Sequence, residues 1–209
     1  MGAVLDGLAA GLPVDEAAIA AAMDRRRARG DGLSTARTEA DAVEFLSGVY
    51  EGRTTGTAVT LMIRNLNTRS GDYAKTADLL RPGHADYTAY AKYHGFQDAR
   101  GGGHFSGRVT AALVAGGAVV LGALSRAGID ISTHIAACAG ISDTRFALDD
   151  AAALAAQVEA LADKPEGFAV LDPAVEEPMK AAIRAAGADG DSVGGLLETA
   201  ILGLPVRDR

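Results

Sequence analysis

The segment that most constrains this chain runs from Ser106 to Arg126, and within it Val109 to Leu124 carries no charge. Ala, Gly, Leu and Val fill it and leave no polar stripe at helical spacing. The pattern predicts a helix that is apolar nearly all round, and such a helix belongs in the middle of a layered fold. The uncharged run is about 16 residues, short of the ~20 needed to span a bilayer. The reading is a buried helix of a soluble protein.

Composition agrees. Charged residues make up 22% and hydrophobic residues 48%, close to globular averages. The 209 residues suffice for a sizeable core. A net charge of −7 disfavours the surface as a whole as a nucleic-acid or anionic-membrane binder. The single cysteine, Cys138, excludes a disulfide framework and a Cys-cluster metal site, and no His pair has zinc-ligand spacing. Met1 to Leu12 has no basic region and Asp6 interrupts its apolar stretch, so no secretory signal is read there and a cytoplasmic protein is expected.

The remaining elements follow from period and punctuation. Val4 and Leu5 read as the tail of a strand. Asp15 can cap a helix from Glu16 to about Arg27. Val43 to Tyr50 and Ala58 to Arg64 are β-rich runs around a Gly-containing turn, a predicted hairpin. Short helices are expected around Tyr73 to Leu80 and Asp86 to Tyr93. Ile129 to Cys138 reads as a strand, with Asp130, Ser132 and His134 on one face and Ile129, Ile131 and Ile135 partly in register opposite. Helices from Asp150 to Ala162 and Pro173 to Ala186 precede a last strand from Ser192 to about Leu204.

Three clusters have chemistry to offer. Arg25, Arg26, Arg27 and Arg29, with Arg37 beyond, supply guanidinium forks that grip carboxylate or phosphate, or are solvated charges at a helix carboxyl end. Nothing aromatic is interleaved with them, which argues against nucleic acid. In Arg81-Pro82-Gly83-His84-Ala85-Asp86, Pro82 and Gly83 fix a turn from which Arg81 and His84 project together, or His84 is simply a surface histidine. An unperturbed imidazole titrates near ~6.5 and can give or take a proton at working pH. In Arg100-Gly101-Gly102-Gly103-His104-Phe105-Ser106-Gly107-Arg108, glycines let backbone N–H groups approach an anion, or form a plain flexible loop. The segment is neither a Walker loop nor a dinucleotide fingerprint. His94 reads as a helix-end residue, and His134 as a packed or surface histidine.

Taken together these segments resemble chorismate synthase. The likeness rests on Arg81 to Thr88, Lys92-Tyr93, Asp98, Arg100 and Gly101 to Gly103. It extends to Asp6-Gly7-Leu8, Gly11-Leu12-Pro13, Arg25-Arg26-Arg27, Leu46 to Val49, Thr54 to Thr57, Arg69-Ser70, Asp72-Tyr73 and Gly190 to Gly194. The resemblance implies an α+β fold, a partial β-α-β sandwich with central helices packed against antiparallel sheets. It implies one incomplete domain over residues 1–209. It implies a lyase of the shikimate pathway and aromatic amino-acid biosynthesis. That enzyme uses reduced FMN to eliminate phosphate and a ring proton from 5-enolpyruvylshikimate 3-phosphate, giving chorismate. NADP comes with the resemblance as an associated nucleotide, and a homotetramer as the assembly of the intact protein.

By the same resemblance, His84 falls on the histidine assigned to protonating the reduced flavin. Arg26, Arg37, Arg81 and Arg108 fall on positions that hold the anionic substrate. His104, Phe105 and Ser106 fall on the tripeptide that contacts FMN, where many members have Arg-Ser-Ser. A further substrate arginine is replaced by Gly32, with Arg29 nearby. The family's Gly-Glu-Ser-His-Gly motif lies ahead of the first match. Its Asn-Ala-Val-Lys-Gly, Lys-Pro-Thr and Arg-x-Asp-Pro segments lie beyond the last, at Gly203-Leu204-Pro205. Half a sandwich should expose apolar surface and associate or dissolve poorly. The competing readings are a non-catalytic anion- or flavin-binding assembly subunit of that descent, and a basic-patch nucleic-acid binder.

Overall fold

The computed structural model describes residues 1–28, 30–33, 41–65, 79–98, 103–162 and 168–205. The chain divides into two compact units, Met1–Arg26 with Glu39–Val119, and Arg27–Thr38 with Val120–Arg209.

In the first unit, three antiparallel strands pair in the order β1 (Gly2–Leu5), β5 (Val59–Ile63), β2 (Val43–Ser47). Central strand β5 alternates strictly, as its sequence predicts, and Val59, Leu61 and Ile63 are fully buried. Their faces meet Ile19 and Met23, one turn apart on α1 (Glu16–Arg26). The expected cap forms, with Asp15 Oδ1 accepting the Ala18 N–H at 3.0 Å. Ala111, Ala112, Ala115 and Val119 of α3 (Thr110–Arg126) complete this core, their small side chains letting the helix lie close to the sheet.

The predicted hairpin is present but broken. At Gly48 the chain takes φ +78, and a Cβ there would sit 2.5 Å from Ala58 O and from Val59 Cα. Only glycine fits. Beyond it β3 (Val49–Tyr50) pairs with β4 (Arg53–Thr54) as a separate ribbon. Helix α2 (Asp86–Tyr93) matches its predicted bounds and ends at His94 in the left-handed conformation, the expected helix-end residue. Most of the predicted helix at Tyr73 to Leu80 lies outside the described residues.

The apolar helix differs from the all-round burial expected of it. One face is buried, while Leu113 is 69% and Leu121 41% exposed. Gly107–Arg126 is long and apolar enough to cross a membrane by length and composition alone, a test that core helices also pass. The exposed apolar surface predicted for a partial sandwich is present here and at Leu148, Leu196, Leu197 and Ile201.

The second unit holds a sheet ordered β7 (Ile141–Ser142), β6 (Asp130–Cys138), β8 (Gly195–Leu202), again antiparallel. Helices α4 (Ala151–Ala162) and α5 (Glu176–Ala188) supply Val158, Leu161 and Met179 to its two small cores. Asp150 caps α4, accepting N–H bonds from Ala152 and Ala153. Strand β6 takes the packed alternative for His134. His134, Ala136 and Cys138 are buried, whereas Ile131 is exposed and pairs with exposed Ile201. The physical reason is that His134 brings its polar partners inward. Nδ1 lies 2.8 Å from Asp143 and Nε2 3.0 Å from Glu198, and Phe146 packs edge-on at 4.7 Å.

Candidate functional site

Four of the described candidates, Arg26, Arg81, His84 and Arg108, gather on two carboxylates of the first unit. The first is Asp41. Arg26, in the last turn of α1, and Arg108, in the 3₁₀ turn Gly107–Val109 that opens α3, are 82 positions apart in the sequence. Asp41 joins them. Its Oδ2 accepts from Arg26 Nη1 at 3.0 Å and its Oδ1 from Arg108 Nη2 at 2.6 Å. The Asp41 side chain is only 4% exposed, against 22% for Arg26 and 21% for Arg108. The two guanidiniums are thus anchored from the protein side and keep an edge toward solvent. With two positive groups and one negative, the trio retains one net positive charge. Arg26 Nη2 also reaches Thr110 Oγ1 at 3.5 Å.

The second carboxylate is Asp86. The turn predicted from Pro82 and Gly83 forms, with Gly83 at φ +73 and the His84 N–H reaching Arg81 O at 3.4 Å. Proline then glycine at the two central positions is the type II pattern. The turn folds Arg81 and His84 onto the first residue of α2. Arg81 grips Asp86 with Nε to Oδ2 at 2.8 Å and Nη2 to Oδ1 at 2.9 Å, and its backbone N–H adds a third bond at 2.9 Å. His84 Nδ1 stands 2.6 Å from Asp86 Oδ1. The Arg81 side-chain bonds, then its backbone N–H, hold the Asp86 carboxyl far below the usual carboxylate range, so it is ionised and only accepts. His84 therefore donates to Asp86 through Nδ1, which leaves Nε2 outside that contact.

His104 and Phe105 lie in a 3₁₀ turn, Gly103–Phe105, and are exposed. The Phe105 ring packs against Tyr93 of α2 with centroids 6.4 Å apart. Ser106 Oγ accepts the Arg108 N–H at 3.3 Å and so opens the turn that carries Arg108. Arg37 and Arg29 lie outside the described residues, as do Arg100, Gly101 and Gly102. Among the described residues no group of three or more His, Cys, Asp or Glu is placed to hold a metal ion.

Sequence reasoning found the arginines and missed what holds them. Asp41 stands 15 residues from one partner and 67 from the other, and no local pattern couples them. Asp86 was inside a motif, but its hold on both Arg81 and His84 needed the turn geometry.

A family model described as chorismate synthase matches residues 1–207. A chorismate synthase of Sulfurimonas denitrificans is 43% identical over 206 residues, which cover 99% of this chain and 54% of that protein. One of Methanosarcina mazei is 40% identical over 205 residues, 98% of this chain and 54% of its own length. A solved structure titled as the crystal structure of chorismate synthase superposes with a TM-score of 0.70 at 29% identity, over 98% of this chain and 55% of that one. The chain spans about half the length of the curated relatives it matches. On this coverage and identity, the chain belongs to the chorismate synthase family.

Proposed function

We propose that this chain carries the substrate-anion and proton-handling part of a chorismate synthase, acting on 5-enolpyruvylshikimate 3-phosphate. The observation that carries the reading is the pair of anchored cationic clusters, Arg26 with Arg108 and Arg81 with His84, in a chain that matches the family over residues 1–207. The substrate has one phosphate and two carboxylates, and guanidinium forks match both groups. Each cluster is tied to a carboxylate, so its rotamers are set before an anion arrives and less ordering entropy is lost on binding. Arg37 adds to the same set.

The reaction removes phosphate and one ring proton, so charge must be held and protons moved at defined atoms. Arg26, Arg81, Arg108 and Arg37 hold the anionic groups. His84 exchanges a proton at Nε2, its other nitrogen being engaged by Asp86. The segment His104-Phe105-Ser106 fits a planar heteroaromatic with polar edges: an exposed aromatic ring backed by Tyr93 lies beside an exposed imidazole and a serine. Reduced FMN held there would lend an electron and recover it, leaving no net redox change. We place the protein in the cytoplasm, and the intact assembly is a homotetramer.

The test is an anaerobic chorismate assay with photoreduced FMN and 5-enolpyruvylshikimate 3-phosphate, run beside substrate binding. The 209-residue chain is compared with an Arg81→Ala, His84→Ala double variant and a full-length relative. The expected result is substrate binding that the double variant weakens, with turnover well below the full-length control. Neither binding nor turnover, with the control active, would sink the proposal.

A further inference from the structure

We infer that Asp41 is a positioning residue of the anion site: it sets the orientation of both Arg26 and Arg108, and anion affinity depends on its negative charge. The inference rests on the reading of those arginines as anion ligands. Its ground is geometric. Each Asp41 oxygen takes one guanidinium, at 3.0 and 2.6 Å, so one group ties the two forks to each other. Asp41 is nearly buried, so it is not itself open to an incoming anion. Its backbone adopts φ +45, in the left-handed region, where Asp is among the few side chains that occur readily. The following residue begins the run into β2, whose pairing with β5 holds this segment in the sheet. The carboxylate thus sits two residues ahead of β2 and meets arginines from two separate helical elements.

The consequence has an unexpected sign. By charge alone, removing a carboxylate from beside an anion site should tighten anion binding. If Asp41 positions the forks, the same change weakens it. Asparagine at this position keeps one oxygen for one guanidinium and turns an NH₂ toward the other, so one fork loses its anchor.

The experiment uses the full 209-residue chain with inorganic phosphate as probe. NMR of the arginine side chains follows both the phosphate titration and the rotation of each guanidinium. The expectation is slow rotation at Arg26 and Arg108 in the wild type. Asp41→Asn should release at least one of them and weaken phosphate about tenfold, the scale of one charge-assisted contact. Unchanged or tighter phosphate binding in Asp41→Asn would overturn the role of Asp41 and leave the anion site standing. Absence of phosphate binding in the wild type, with both guanidiniums still slow, would overturn the anion site itself. Should Asp41→Asn not fold, Asp41→Glu keeps the charge and displaces it by one methylene. It must then show faster guanidinium rotation and weaker phosphate, and wild-type values in it would overturn the inference.

Discussion

Truncating Asp143 to alanine should cost the second unit a large part of its stability. The carboxylate is fully buried and accepts two backbone bonds, from Leu171 N–H at 2.7 Å and Asp172 N–H at 2.8 Å, besides facing His134 Nδ1 at 2.8 Å. Burial alone would raise its pKa, but the two amides and His134 outweigh that and hold it below the ordinary value. In Asp143→Ala two amides and a buried imidazole lose their acceptor together. Orphaned buried donors cost about 1–3 kcal/mol each, less whatever entering water restores. A net loss of about 3–5 kcal/mol is expected, against ~5–15 kcal/mol for a whole domain. Urea unfolding followed by far-ultraviolet circular dichroism suits a chain with no tryptophan. Hydrogen exchange then locates the loss, which should fall on β6, β8 and residues 168–172 and spare β5. Asp143→Asn keeps one oxygen and should lose about half as much. A loss under about 1 kcal/mol in Asp143→Ala, the range of ordinary surface changes, would refute the reasoning.

Arg145 first, then His134 and the Phe146 N–H, pull Glu198 from an ordinary 4.5 down to about 2. Its contribution is therefore complete above about pH 4.5 and fades as pH falls toward 2, so Glu198→Gln should flatten the acid limb of urea midpoints measured from pH 6 to 2. Gly48→Ala places a Cβ 2.5 Å from Ala58 O and should lower stability by about 2 kcal/mol or more, read as a fall in Tm, while Gly52→Ala, with open space around it, should cost about 1 kcal/mol. Asp86→Asn should release His84 from its Nδ1–H tautomer, seen as altered imidazole ¹⁵N shifts; unchanged shifts would mean that Asp86 does not set it. Sedimentation of the 209-residue chain should show concentration-dependent association, reduced when exposed Leu197 and Ile201 are changed to lysine.

Much of this architecture was legible in the sequence, and the exceptions have physical causes. Strand β5 declared itself because one buried face forces strict alternation. Helix α1 did so because Asp15 and the basic last turn mark its ends. The break at Gly48 was invisible because it arises from how closely β2 and β5 approach. Strand β6 was ambiguous because neither of its faces is uniformly apolar: Ile131 is exposed, while Ile135 packs against a core. The inward histidine is tolerated only because Asp143 and Glu198, distant in sequence, meet it. At the candidate site the turn holding Arg81 and His84 could be read from Pro82 and Gly83. The union of Arg26 with Arg108 could not, since it depends on Asp41, which no local pattern couples to either.

The most direct measurement is calorimetric titration of 5-enolpyruvylshikimate 3-phosphate into the chain and its Arg108→Ala variant. Removing one charge-assisted fork costs about 1.5–3 kcal/mol, so Arg108→Ala should weaken binding roughly 10- to 150-fold without altering the fold. Equal affinity in the two proteins would contradict the account at its centre.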